Sequence, residues 1–131
     1  MAVEIEVYQR PFTPPCILIA GGELLVATGR TTGIGGRNQE VALAAALLIE
    51  ESPQIVVASV DSDGTDGPTD AAGGIVDGYT MALAKATGVD VLDALHRDNA
   101  FSALTTLGDA ILTGARGTSA QDLRVLYVGE A

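Results

Sequence analysis

Gly29-Arg30-Thr31-Thr32-Gly33-Ile34-Gly35-Gly36-Arg37-Asn38-Gln39-Glu40 is a glycine-rich loop that runs into the best helix pattern in the chain. That helix reads from Arg37 to about Glu51, with Pro53 beyond it as a stop. Ahead of the loop, Leu24 to Thr28 reads as a strand. Strand, glycine turn and helix start is an arrangement in which free backbone N–H groups and a positive dipole end converge on an anion. Arg37 adds a permanent forked cation at the mouth of that turn, suited to carboxylate or phosphate. The competing reading of the same glycines is a turn that binds nothing.

Working outward, the helix carries Val41, Ala42, Leu43, Ala44, Ala45, Ala46, Leu47 and Leu48, apolar nearly all round, so it should be buried on more than one side. Ile55 to Val60 is the clearest buried strand. A helix between two strands suggests a βαβ unit with a parallel pair. The fold class expected is therefore α/β: a mixed, mainly parallel sheet with helices packed on it, in a single domain over residues 1–131. Val3, Ile5 and Val7 alternate with Glu4, Glu6 and Tyr8, which reads as an N-terminal edge strand. Pro11, Pro14 and Pro15 make a connector after it, so residues 1–15 precede a core at 16–128. Cys16 to Ala20 and Leu123 to Val128 read as strands, the first buried. Ile75-Val76 and Ala110 to Thr113 read as short strands. Helices are expected from Gly78 to Thr87 before Gly88, from an Asp90 cap through about His96, and from Asn99 to Leu107 before Gly108.

Composition narrows the partners. The formal net charge is −10, which argues against nucleic-acid backbones and anionic membranes. Any anionic substrate then needs local cations, and Arg37 and Arg116 stand out on a surface poor in positive charge. A single cysteine excludes an internal disulfide. No apolar run is long enough to span a membrane, and the N-terminus lacks the basic start and apolar run of a signal peptide, so a cytoplasmic location is the expectation.

Two further loops carry chemistry. Asp61-Ser62-Asp63-Gly64-Thr65-Asp66-Gly67-Pro68-Thr69-Asp70 follows a strand, and its four aspartates repel one another unless a hard cation or donors lie nearby. Its alternative reading is a loop whose Asp and Thr side chains cap its own backbone. It is a poor EF-hand, with Asp66 where the glycine belongs and Ala72 where the closing glutamate belongs. Thr113 to Asp122 mixes glycines, hydroxyls and Arg116, which suits phosphate or sugar oxygens, or a plain crossover. The Gly33-Ile34-Gly35-Gly36 loop does not match the dinucleotide fingerprint.

Taken together, Gly33-Ile34-Gly35-Gly36-Arg37-Asn38-Gln39-Glu40, Asp63-Gly64-Thr65-Asp66-Gly67-Pro68-Thr69-Asp70-Ala71-Ala72-Gly73 and Thr113-Gly114-Ala115-Arg116-Gly117-Thr118 with Asp122-Leu123-Arg124 resemble the MOFRL domain. This is the C-terminal domain of the glycerate 2-kinase family, whose members often carry the label hydroxypyruvate reductase. The chain departs from the usual family pattern at Asp61-Ser62, Ser119 and Gln121. The resemblance implies an ATP- and Mg²⁺-dependent kinase acting on the 2-hydroxyl of D-glycerate or a related hydroxy acid. Its cleft would lie between this domain and a larger N-terminal domain, with this chain either a piece of such an enzyme or a free-standing homologue that meets that domain in trans. It also implies that Arg37, Asn38, Asp63, Asp66, Asp70 and Thr118 face the cleft. Arg37, Asp63 and Asp66 would be catalytic; Gly35, Gly36, Arg37, Asn38, Thr69, Asp70 and Thr118 would bind substrate or phosphate; Asp63 and Asp66 would hold Mg²⁺. Alone, the chain should be a poor kinase. Two other functions are compatible with the sequence: a ligand-binding or regulatory module acting on a partner chain, and part of an NAD(P)H-dependent hydroxypyruvate reductase. Self-association is expected through the loop end or the strand Val3–Tyr8.

Overall fold

The computed structural model describes residues 1–22, 33–117 and 121–131. Along the chain it runs α1 (Ala2–Tyr8), β1 (Cys16–Gly22), α2 (Arg37–Leu48), β2 (Ile55–Asp61), β3 (Gly73–Asp77), α3 (Thr80–Thr87), α4 (Val91–His96), α5 (Ala100–Leu107), β4 (Ala110–Ile111) and β5 (Asp122–Val128). The strand expected at Leu24 to Thr28 lies outside the described residues.

The sheet order is β1-β5-β2-β3-β4, and every neighbouring pair is antiparallel. This corrects the expectation of a mainly parallel sheet. β1 and β2, joined through α2, do run in the same direction, since each is antiparallel to β5. They are not neighbours, because the last strand of the chain inserts between them. Local pattern shows the crossover helix but not the strand that arrives some sixty residues later to fill the gap.

Burial along β2 alternates strictly, with Ile55, Val57, Ser59 and Asp61 buried and Val56, Ala58 and Val60 half-buried. A sheet covered by helices on one face reads this way, whereas a parallel strand is buried on both. Ile55, Val57, Val76 and Val128 meet Ile5, Ala42, Leu43, Ala46, Val91 and Leu104 in the core. α2 lies centrally, against β2 and β3 on one side and α3, α4 and α5 on the others, which is why it is apolar nearly all round. α3 and α5 end on the left-handed Gly88 and Gly108, and the Asp90 side chain caps α4 by accepting from Asp93 N.

Two local expectations fail. Residues 2–8 form a helix, not an edge strand. Over so short a stretch the alternation of Val3, Ile5 and Val7 also fits a helix that buries Ala2 and Ile5 three apart and leaves Val3 and Val7 exposed four apart. Packing against β2 and β5 decides between them. Among the described strands the sheet edges are β1 and β4, and in β1 Ile17 and Ile19 are exposed, so that strand is not buried either.

Candidate functional site

β2 ends at Asp61 and β5 begins at Asp122, and the register places the two directly opposite each other. Like charges at facing positions repel. α2 starts beside them, and its first residue answers both. Arg37 donates from Nη2 to Asp61 Oδ2 at 2.6 Å and from Nε to Asp122 Oδ2 at 2.8 Å. The Asp122 side chain is fully buried and that of Asp61 nearly so, while the Arg37 side chain keeps 30% of its surface. The hydrogen bond to Asp122, reinforced by the fields of Asp122, Asp61 and Asp66, holds the guanidinium even more firmly protonated than usual, against the cost of burial. Burial pushes the Asp61 carboxyl above the ordinary carboxylate range, although the Asp63 N–H and Arg37 pull it down.

Behind Arg37 lies a buried polar network. Asn38 donates from Nδ2 to Asp122 Oδ1 at 2.8 Å and to Asp66 Oδ1 at 3.1 Å, and its Oδ1 accepts from Ser59 Oγ at 2.7 Å. Asp66, fully buried, caps α2 from the neighbouring loop. Its Oδ1 accepts from Asn38 N and its Oδ2 from Gln39 N and Gln39 Nε2, all within 3.0 Å. Thr69 Oγ1 accepts from Gln39 Nε2 and donates to the Asp66 carbonyl. The anion at this helix start is thus the protein's own carboxylate. Gly36 makes the approach possible, since a Cβ there would lie 2.4 Å from Asp66 Cγ.

The other loops close around this centre. Asp63 Oδ1 accepts from the N–H and hydroxyl of Thr65, which hold its carboxyl below the ordinary range. Asp63 O accepts from Arg116 N, and Ser62 N donates to Gln121 O, joining the second loop to the third. At Gly64, with φ +90°, a Cβ would collide with the Gly114 carbonyl across that seam. Residues 33–36 are pinned by Ile34 N donating to Asn99 Oδ1 and Phe101 N donating to Ile34 O. Nearby, burial and the Asp98 carboxylate raise Glu40 from 4.5 to about 7.

Of the residues singled out from sequence, Arg37, Asn38, Asp66 and Thr69 share one network. Asp63 sits half-buried at its rim, Gly35 and Gly36 are half-buried in the first loop, and Asp70 is exposed. Thr118 lies outside the described residues. Ser59, Asp61, Gln39 and Asp122 belong to the network but were not identified as site residues. A signal existed: if Ile55 and Val57 face inward, period two sends Ser59 and Asp61 inward too, and Val128 does the same for Asp122. Among the described residues no group of three or more His, Cys, Asp or Glu side chains is arranged to hold a metal ion. Both oxygens of Asp66 are already occupied by donors.

Strand-end aspartates clamping the first arginine of a helix, with a third aspartate capping that helix, place the sequence motifs in one structural unit. The MOFRL family model matches residues 16–122, and the chain belongs to that family. It is 46% identical, over 92% of its length, to the D-glycerate 2-kinase of Thermotoga maritima, and 44% identical, over 95%, to the glycerate 2-kinase of Pyrococcus horikoshii. It spans 28% of each of those relatives. The crystal structure of the Thermotoga maritima glycerate kinase superposes with a TM-score of 0.94 at 43% identity, over 97% of this chain and 30% of that one.

Proposed function

We propose that this chain contributes the anion-holding loops of a glycerate 2-kinase, completed by the further two-thirds that its relatives possess. The observation that carries the reading is the state of Arg37. Asp122 and Asp61 take its Nε and one hydrogen of Nη2, no described residue takes Nη1, and the side chain remains partly exposed at the loop end. A guanidinium held by one edge offers its opposite, end-on edge to two oxygens. In this reading Arg37 grips the glycerate carboxylate or the transferring phosphoryl group, where a fixed cation offsets charge in a reaction that rests on positioning and electrostatics. Asn38 braces Asp122, which holds that arginine, Gly35 and Gly36 belong to the loop that precedes it, Asp63 and Asp70 line the rim, and Thr118 is expected to bind from the third loop. Asp66 and Thr69 act by anchoring α2. ATP and Mg²⁺ belong to the assembled enzyme. Asp66, with both oxygens engaged by Asn38 and Gln39, is left out of the metal shell.

The test is Arg37→Lys in an enzyme assembled from this chain and the N-terminal two-thirds of a relative. Lysine keeps the charge but loses the planar fork. If the contact is made mainly in the transition state, kcat falls with little change in KM; if it holds glycerate equally in both states, KM rises, about tenfold per 1.4 kcal/mol lost. Parent-like kinetics would show that Arg37 serves the fold by joining Asp61 and Asp122 and grips no substrate.

A further inference from the structure

We infer that Asp122, assisted by Asp61, is a positioning residue that aims Arg37 and so creates the anion receptor, an inference resting on the reading of Arg37 just given. Three features lead to it. The two carboxylates face each other on adjacent strands, and Asp122 is 1% exposed, an arrangement that is costly unless a cation joins it. The two bonds they make fall on Arg37 Nε and Nη2, which fixes both the rotation of the guanidinium plane and the edge that remains outward. Asp122 is itself held: its second oxygen accepts from Asn38 Nδ2, and Asn38 is braced by Ser59 and Asp66. The chain of contacts thus runs from β2 and the aspartate loop, through Asn38 and Asp122, to the side of Arg37 turned away from solvent.

The sign of the expected effect separates positioning from simple electrostatics. The chain carries a net charge of −10, and Asp122 lies beside the proposed anion site. By Coulomb's law alone, neutralising Asp122 should strengthen phosphate binding. Positioning demands the reverse. Asp122 accepts at both oxygens, whereas an asparagine has one acceptor and one donor group. Asp122→Asn therefore cannot satisfy both Arg37 Nε and Asn38 Nδ2, and the guanidinium loses its fixed direction.

The experiment is a titration of this chain with inorganic phosphate, followed by NMR of the arginine Nε–Hε and Nη signals, for the parent, Asp122→Asn, Asp61→Asn, Arg37→Ala and the Arg37→Ala/Asp122→Asn pair. In the parent, phosphate should shift the Arg37 Nη signals and leave Nε–Hε on Asp122. Asp122→Asn should weaken binding at least about tenfold. Asp61→Asn should weaken it in the same direction but less, and it keeps the test available if the more buried substitution fails to fold. The double variant should bind no worse than Arg37→Ala alone, because Asp122 acts only through Arg37. Binding unchanged or strengthened in Asp122→Asn and Asp61→Asn, with Arg37→Ala still deficient, would overturn the positioning role and spare the reading of Arg37. Parent-like binding in Arg37→Ala, or no phosphate response in the parent, would overturn both.

Discussion

Arg37 and Asp66 look alike in a sequence, as charged residues in polar loops, and the structure gives them different work. Asp66 is fully buried and accepts four hydrogen bonds from two residues at the start of α2. Arg37 neutralises two facing carboxylates while part of it remains exposed. Removing either side chain strands buried partners, of donors in one case and of negative charge in the other. Asp66→Ala and Arg37→Ala should each lower unfolding free energy by about 3 kcal/mol. Urea denaturation without divalent cations should show both losses, and added Mg²⁺ should leave the parent midpoint where it was. A parent midpoint that rises strongly with Mg²⁺ and a harmless Asp66→Ala would return Asp66 to a metal-binding role. That Arg37, Asn38 and Asp66 belong to one place was legible from the motifs that carry them, although the capping work of Asp66 was not. Asp61 and Asp122 were not, because their partnership depends on the register of strands that lie sixty residues apart.

Among the elements, the junction of α2 with the turn between α4 and α5 carries the clearest pH dependence. Glu40, in the first turn of α2, is raised from 4.5 to about 7 by burial and by Asp98. The native state therefore binds the proton more tightly than the unfolded chain. The stability that the protonated form confers is fully present below about pH 4.5 and is lost as pH rises through about 7. Glu40→Gln, which stays neutral, should melt above the parent at pH 8, and the gap should close at pH 5. Equal melting temperatures at both values would mean that Glu40 ionises in the folded state as an ordinary surface glutamate does. The helices around this junction were legible from Asp90, Gly88 and Gly108, whose roles are local. α1 was not, since seven residues satisfy a strand period and a helix period equally, and only the packing of Ile5 decides.

At the level of the whole molecule, β5 explains both why local pattern suggests a parallel sheet and what the fold achieves. By inserting between β1 and β2 it makes every pairing antiparallel, and by starting at Asp122 it brings the third loop to the end of the sheet where α2 begins. The convergence of three distant motifs was visible as a family resemblance and invisible as periodicity, because it is a property of strand order. Among the described residues no helix is long and apolar enough to cross a membrane. If these loops serve a glycerate 2-kinase, they should work when set into one. The most direct measurement grafts this chain in place of the matching segment of the Thermotoga maritima D-glycerate 2-kinase, to which it is 46% identical, and follows ATP-dependent phosphorylation of D-glycerate. The graft should phosphorylate glycerate, and this chain alone should not. A folded graft that forms no phosphoglycerate from ATP would contradict that role.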